Sequence, residues 1–315
     1  LMHDLVTIGE VLLRLAVPSP ARIETTRALD VQIGGAEANV AAAASRLGLR
    51  TAWISALPAN AWGERVLREL TGHGVDCSQV RMMEGTRLGL YFLEYGVPPR
   101  PIRVLYDRRE SAFARLQPQD LDWELVRRAR IVHLTGITPA LSASARELSE
   151  RVLREASTVS LDVNFRAALW SPAEARAWLG KVVRAVRYLF VGLDEAQIVF
   201  GLDGDPPSIV EKLAHLAPKA TVTLLMGEAG SLTSDSGRLV RPSQLPPVQV
   251  VDPIGAGDAY VAGFLWAAIR GDDLAKTVDK ATAAAALKCS TWGDIALISE
   301  RDVEEVLLGG PRVRR

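Results

Sequence analysis

The sequence predicts an α/β protein with three layers, in which a mostly parallel β-sheet lies between two layers of helices. Short apolar runs rich in β-branched residues alternate along the chain with longer runs whose apolar residues recur at helical spacing. That alternation is typical of a parallel sheet covered by helices on both faces. The chain has 315 residues, of which 48% are hydrophobic, and no long linker interrupts it. We therefore expect a single domain over residues 1–315 with a large core.

The elements follow one another in a regular order. A first strand-like run comes directly after the N terminus, in LMHDLVTIGE. Further buried strands are predicted at 51–57, 131–134, 158–163, 188–191 and 221–226. Amphipathic helices are predicted between them, at 36–47, 61–71, 142–155, 172–183 and 207–216.

The C-terminal third has a different pattern. A hairpin is predicted around residues 236–237, and a strand at 248–251 leads into two alanine-rich helices, 257–269 and 274–288. Residues 270–273, with the sequence RGDD, suit the turn between these helices.

Two early segments interrupt the alternation of strands and helices. Residues 23–33 and 88–105 have the pattern of antiparallel strands, the second broken at 97–99 by the sequence VPP. Both are too short to form a domain, so we expect a small β-sheet lid, formed by approximately 14–35 and 86–110, that covers a cleft. The exposed apolar face of such a sheet suits pairing with a second copy, which predicts a homodimer or a higher homo-oligomer.

Charge and cysteine content exclude several classes of function. The chain has 37 basic and 37 acidic side chains, so no overall field favours nucleic acid or an anionic membrane. No run approaches the ~18 apolar residues of a transmembrane helix. Cys77 and Cys289 form no metal-binding pattern and fit a reducing compartment, which predicts a cytoplasmic protein.

The stretch VDPIGAGDAYVAGFL, residues 251–265, places an acid between glycines and an apolar helix. In one interpretation the glycines only make a turn, and Asp258 caps the helix or faces its dipole. In the other, backbone N–H groups at the helix start bind an anion, and Asp258 accepts a proton beside it. A dinucleotide-binding GxGxxG would need glycine where Tyr260 stands, and the GK[ST] of a P-loop is absent.

The run DPIGAGDAYVAGFL resembles the C-terminal signature of the ribokinase-like, phosphofructokinase-B (PfkB) type of carbohydrate kinases. GGAEANVA at 34–41 is similar to the N-terminal sugar-binding turn and helix of that family, and DVNFR at 162–166 to its central motif. Four stretches, GGAEANVA, LYFLEY, LTGITPAL and DVNFRAALW, resemble the 2-keto-3-deoxygluconate kinases within it. The resemblance implies a ribokinase-like core with a small β lid.

The resemblance also implies which residues act on the acceptor. Asp258 would be the catalytic base, and the backbone N–H groups of Gly255, Ala256 and Gly257 would stabilise charge on the transferred phosphoryl group. A sugar acid carries a carboxylate, which arginine matches best, and Arg108 and Arg166 are placed for that role. The complete set of substrate-binding residues implied in this way is Gly34, Gly35, Asn39, Tyr91, Tyr106, Arg108, Ile137, Arg166 and Asp294.

On the nucleotide side, the resemblance implies ATP as donor and Mg²⁺ as its counter-ion. Glu195 would hold the metal through water, because Mg²⁺ keeps much of its hydration shell. The implied cofactor-binding residues are Asn164, Glu195, Gly227, Gly230 and Thr282. The chain departs from the family pattern on this side, with Leu225 in place of a lysine and Gly192 in place of an asparagine or serine.

The implied reaction is transfer of the γ-phosphoryl group of ATP to the 6-hydroxyl of 2-keto-3-deoxygluconate. Two alternatives stay open at this point. One is another sugar kinase of the family, a fructokinase or ribokinase-like enzyme with a neutral acceptor. The other is a ribokinase-like protein that binds a sugar acid without catalysis.

Overall fold

A computed structural model describes residues 2–309 of the chain. Within them the structure forms a nine-stranded sheet and a separate four-stranded sheet. The strands are β1 (Leu5–Ile8), β2 (Leu12–Val17), β3 (Asp30–Gly34), β4 (Thr51–Pro58), β5 (Val80–Met83), β6 (Gly89–Glu94), β7 (Arg103–Asp107), β8 (Ile131–Thr135), β9 (Val159–Asp162), β10 (Tyr188–Gly192), β11 (Thr221–Leu225), β12 (Ser231–Asp235) and β13 (Arg238–Val240).

The large sheet has the strand order β13-β12-β11-β10-β9-β8-β1-β4-β5. Its strands from β11 to β5 are parallel, and β12 and β13 join as an antiparallel hairpin at one edge. The chain order reverses at β1, which has β4 on one side and β8 on the other. Ligands of such sheets bind at the carboxyl ends of the strands beside a reversal of this kind.

Helices cover both faces of the large sheet. Their bounds are α1 (Ala36–Arg46), α2 (Ala61–Gly72), α3 (Trp123–Arg128), α4 (Thr138–Leu141), α5 (Ala143–Glu155), α6 (Pro172–Val182), α7 (Leu193–Ile198), α8 (Pro206–Leu216), α9 (Ala256–Arg270), α10 (Leu274–Cys289) and α11 (Glu300–Leu307). One apolar core lies under α3, α5, α6 and α8, and two others lie against α1, α2, α9 and α10. The predicted three-layer α/β/α class is confirmed.

The small sheet has the order β3-β2-β6-β7. It was expected to be antiparallel, but β2 and β6 pair in parallel, because the core elements from α1 to β5 separate them along the chain. The strand predicted over 23–33 is shorter and lies at 30–34, where it pairs with β2. The division into one domain with this sheet as its lid remains a prediction.

The strand predicted at 248–251 is wrong. Residues 244–250 form no helix or strand, and Val248 and Val250 are exposed. The apolar run was typical of a strand, but the segment has no strand partner, and Pro246 and Pro247 just before it cannot donate to a ladder. No helix within residues 2–309 is long and apolar enough to cross a membrane.

Candidate active site

A cavity of about 460 Å³ opens at the carboxyl ends of β1, β8, β9, β10 and β11, and the small sheet forms its opposite wall. These are β1 and the four strands next to it on one side, so the pocket lies beside the reversal of strand order, as expected for a sheet of this kind. Most of the predicted site residues line it, namely Gly34, Gly35, Asn39, Tyr91, Tyr106, Arg108, Ile137, Asn164, Arg166, Glu195, Gly255, Gly257, Asp258 and Asp294.

Asp258 lies in the first turn of α9 and is 9% exposed. It does not cap the helix, because the N-cap residue is Gly255 and no side chain accepts a capping hydrogen bond there. Instead its carboxylate accepts a hydrogen bond of 2.7 Å from Nδ2 of Asn39 on α1. A capping role for Asp258 is therefore excluded, whereas its place in the first turn still faces the helix dipole, and its carboxylate also lines the cavity.

The surroundings of Asp258 raise its pKa to about 7. Burial is the main cause, since removing the carboxylate from water disfavours its charged form. The negative charges of Asp294 and Glu37 raise the pKa further, whereas the hydrogen bond from Asn39 and the charge of Arg166 lower it. A pKa near neutrality suits a group that accepts a proton under physiological conditions.

The turn before Asp258 depends on Gly255, whose φ of 86° lies in the left-handed region. A methyl group at this position would come within 2.1 Å of the carbonyl oxygen of Asp294, so glycine is also required for close packing. The N–H of Ala256 donates to the carbonyl of Pro253 at 3.2 Å, and Ala256 does not line the cavity. Ala256 was predicted to donate to the phosphoryl group, but its N–H is already used within the turn.

Arg108, just after β7, is 8% exposed and its guanidinium lies 5.5 Å from the ring centre of Tyr106. It was expected to be free for a substrate carboxylate, but two of its nitrogens donate to Oε2 of Glu10. Arg166 follows β9 and donates to the carbonyl of Phe165 at 3.1 Å. Two guanidinium groups thus line the same cavity as Asp258.

Asp294 is held on both of its carboxylate oxygens. The hydroxyl of Tyr91 donates to Oδ2 at 2.7 Å, and Arg14 donates to Oδ1. Arg14 also donates to Asp252 of the 251–265 stretch, and it is only 1% exposed. Sequence reasoning did not identify Arg14, because nothing in a strand of alternating residues distinguishes a buried arginine from a solvated one.

Acidic side chains line the cavity at the carboxyl ends of β9 and β10. Glu195 on α7 accepts from the backbone N–H of Phe165 at 2.6 Å and of Gly192 at 2.7 Å. Asn164 donates to Asp162 at 2.7 Å, and its Oδ1 is buried with no partner among residues 2–309. Burial and mutual repulsion raise the pKa of Asp162, and burial raises that of Glu195.

Three predicted cofactor residues do not line this cavity. Gly227 and Gly230 form the turn after β11, and Thr282 on α10 donates to the carbonyl of Val278 within its own helix. Leu225, at the end of β11, does line the cavity, at the position where the family pattern has a lysine.

Glu10, Glu37 and Asp162 also line the cavity and had no predicted role. Glu37 and Asp162 stand inside the motifs that identified the site, in GGAEANVA and DVNFR. Glu10 comes two residues after the end of β1. An acid just beyond the carboxyl end of a parallel strand could have been predicted as a site residue, because ligands bind at that edge of the sheet.

Comparison with known proteins identifies the family. Residues 2–301 match the pfkB family carbohydrate kinases, which is nearly the whole of the described chain. The chain belongs to the PfkB family of carbohydrate kinases. The resemblance inferred from the motifs is confirmed, and the kinase family supports an enzyme rather than a protein that only binds.

Relatives of this PfkB kinase are similar over almost their whole length. A 2-dehydro-3-deoxygalactonokinase of Haloferax volcanii is 40% identical over 98% of this chain and 97% of its own. A 2-dehydro-3-deoxygluconokinase of Thermoproteus tenax is 34% identical over 97% of this chain and 94% of its own. The crystal structure of a 2-dehydro-3-deoxygluconokinase from Thermotoga maritima has a TM-score of 0.91 and 31% identity, and it covers 98% of this chain and 99% of its own.

Proposed function

We propose that this PfkB kinase transfers the γ-phosphoryl group of ATP to the 6-hydroxyl of 2-keto-3-deoxygluconate. The observation that carries the proposal is a cavity lined by a carboxylate whose pKa is about 7 and by two arginine side chains. The carboxylate suits an alcohol that must lose a proton, and the arginines suit an acceptor that is itself an anion. The sugar-acid kinases among the relatives support the same class of substrate.

In this proposal Asp258 accepts the proton of the 6-hydroxyl as the oxygen attacks the γ-phosphorus. The new bond joins that oxygen to phosphorus, and the bond from phosphorus to the bridging oxygen of ADP breaks. Asn39 keeps the carboxylate in place through its hydrogen bond of 2.7 Å. The backbone at Gly255 and Gly257, at the positive end of α9, stabilises negative charge on the transferred group.

The acceptor is oriented by its two ends. Its carboxylate lies toward Arg166 and Arg108, and its 6-hydroxyl lies toward Asp258, since all three groups line one cavity. Holding both ends fixes the position of the 6-hydroxyl oxygen relative to the γ-phosphorus. The attack then resembles an intramolecular reaction, which lowers the entropic cost of reaching the transition state.

The residues present fit ATP with Mg²⁺. Oxygen atoms are the ligands that Mg²⁺ prefers, and the cavity has Asp162, Glu195 and the unpartnered Oδ1 of Asn164 on one side. Among residues 2–309 no group of three or more His, Cys, Asp or Glu side chains is arranged to hold a metal ion. We therefore propose that Glu195 and Asp162 hold the ion through water, where it neutralises charge on the phosphates.

The test is an ADP-release assay with purified protein, ATP and Mg²⁺, across two epimeric 2-keto-3-deoxy sugar acids, fructose and ribose. We expect turnover of the sugar acids and a kcat/KM for the neutral sugars lower by at least about 10²-fold, since a neutral sugar has no carboxylate to accept hydrogen bonds from Arg166 and Arg108. Equal or faster turnover of fructose or ribose would contradict the proposal and favour the neutral-sugar alternative.

Replacement of Arg166 tests the same proposal from the protein side. Arg166→Ala should raise KM for the sugar acid more than KM for ATP, because it removes a contact to one substrate only. Arg128→Ala is a matched control, since Arg128 is an exposed surface arginine. Equal increases in both KM values would place Arg166 at the phosphates instead.

A further inference from the structure

Glu10 occupies an unusual position for an acid. It follows β1, the strand at which the strand order reverses, and it lines the cavity while only 3% exposed. Its own carbonyl oxygen would lie 2.3 Å from a methyl group at position 35, so its backbone packs directly against the glycine turn before α1. The position of Glu10 is therefore fixed by packing, unlike that of a mobile acid on the surface.

The charge of Glu10 is balanced by the lid. Its Oε2 accepts hydrogen bonds from Nε of Arg108 at 2.8 Å and from Nη2 of the same side chain. Both hydrogen bonds end on one oxygen, so they hold the guanidinium against Oε2 and leave the second oxygen of Glu10 unused. Because the pair is neutral overall, Glu10 does not repel an anionic ligand as an isolated carboxylate would, and the pair offers a ligand both a donor and an acceptor.

The other oxygen of Glu10 has no partner. Oε1 is buried and accepts no hydrogen bond from any residue between 2 and 309. Asp294, another acid that lines the cavity, differs in this respect, because both of its oxygens accept hydrogen bonds. Buried carboxylate oxygens are rarely left without a donor, since the loss of water is then uncompensated.

We propose that Glu10 determines substrate specificity by accepting, on Oε1, a hydrogen bond from a hydroxyl of the sugar chain. This hydroxyl is not the one that is phosphorylated, whose proton goes to Asp258. Arg108, held by Glu10, donates at the same time to an oxygen of the keto-acid end. The inference rests on the proposed function and deepens it, since it names a residue that distinguishes a hydroxylated acid from other anions.

The test uses Glu10→Gln with Glu94→Gln as its matched control. If the amide oxygen of glutamine faces Arg108, its NH2 group takes the place of Oε1 and cannot accept a hydrogen bond from a hydroxyl. Glu94 is also a buried lid carboxylate near an arginine, Arg100, but it does not line the cavity. We expect E10Q to lower kcat/KM for the sugar acid by 10- to 100-fold, mainly through KM, with KM for ATP within twofold of wild type, and E94Q to change neither.

A binding measurement complements the kinetics. The rise in melting temperature caused by the sugar acid alone should shrink in E10Q, and the rise caused by ATP alone should not. Glu10→Asp keeps the charge but withdraws the carboxylate by one methylene, so its KM should lie between those of wild type and E10Q. A KM for the sugar acid within twofold of wild type in E10Q and E10D overturns the proposal, as does an equal rise in both KM values.

Failure of the proposed function can be distinguished from failure of this inference. If wild type does not phosphorylate the acid, but the acid or a neutral sugar still raises its melting temperature, only the function is refuted. The comparison of that shift between wild type and E10Q then decides the role of Glu10. A wild type whose melting temperature responds to none of these compounds refutes both.

Discussion

At the scale of single residues, the properties of Asp258 come from its surroundings. Burial alone would keep this carboxyl neutral, and Asn39 and Arg166 restore part of its tendency to ionise. These opposing effects give Asp258 a pKa of about 7. Near neutral pH a substantial fraction of the carboxyl group is therefore ionised and can accept a proton. Two predictions follow from this balance.

The first prediction concerns removal of the charge. Asp258→Asn should lower kcat by at least about 10²-fold, because the amide cannot accept the proton of the acceptor hydroxyl. The fold should persist, since Asp258 caps no helix and the amide can still accept from Asn39. Steady-state kinetics and a melting curve measure the two effects, and near-normal turnover in a folded variant would refute the role of Asp258.

The second prediction concerns pH. Because the active form of Asp258 is the carboxylate, kcat/KM for the sugar acid should rise as pH increases through about 7 and level off above it. The pKa in the folded state lies above the ordinary 3.8, so the contribution of this group to stability is fully present below about 4 and is lost as pH rises through about 7. Asp258→Asn should therefore melt no lower than wild type at pH 8. Rate profiles from pH 5 to 9 test the first part, and a kcat/KM that stays constant over this range would contradict it.

At the scale of elements, the two ends of α9 use the same backbone conformation for different purposes. Gly255 at the start has a φ of 86°, and Gly271 at the end has a φ of 84°. A methyl group at position 255 would collide with the carbonyl of Asp294, whereas position 271 has no atom within 4 Å. The first glycine is required for conformation and for packing at the site, and the second for conformation alone.

The third prediction compares these two positions. Gly255→Ala should lower kcat by at least about tenfold and destabilise the fold, because strain of about 1–2 kcal/mol is added to the collision. Gly271→Ala should cost only the conformational strain, about 1–2 kcal/mol, and leave kcat within twofold of wild type. Denaturant unfolding and kinetics on both variants measure the difference. Equal losses of activity would show that the collision with Asp294 has no effect on the site.

At the scale of the whole molecule, the lid has two different faces. Tyr91 and Tyr106 pair across β6 and β7 and line the cavity. Neighbouring positions point the other way, so the opposite face carries a row of apolar residues in register across the four strands. This row consists of Val31, Leu15, Phe92 and Leu105. Leu105 is 57% exposed.

The fourth prediction is that this row is the contact between two copies, as the sequence also suggested. Leu105→Asp should convert a homodimer into a monomer, because it places a charge in the middle of an apolar interface. Leu297→Asp is the matched control, since Leu297 is 52% exposed and lies outside the lid. Light scattering coupled to gel filtration measures the mass of each, and a wild type that elutes as a monomer would rule out the prediction.

The fold class, the parallel strands and the place of Asp258 at the cavity could be predicted because they depend on local patterns. Strand and helix periodicity is local, and the motif around Asp258 occupies consecutive residues. The roles of Glu10 and Arg14 could not be predicted, since each depends on partners far away in sequence: Arg108 for Glu10, and Asp252 with Asp294 for Arg14. The strand expected at 248–251 failed for a related reason, because an apolar run forms a strand only where a partner strand is available.

Arg14 also ties the small sheet to the rest of the chain. It belongs to a strand of the small sheet, yet it is buried between Asp252 and Asp294, which belong to the core. Lifting that strand would separate two ion pairs that are shielded from water, which is strongly unfavourable. We therefore expect β2 to stay docked while substrates enter and leave, so that any opening of the pocket takes place at the β6–β7 hairpin on one margin.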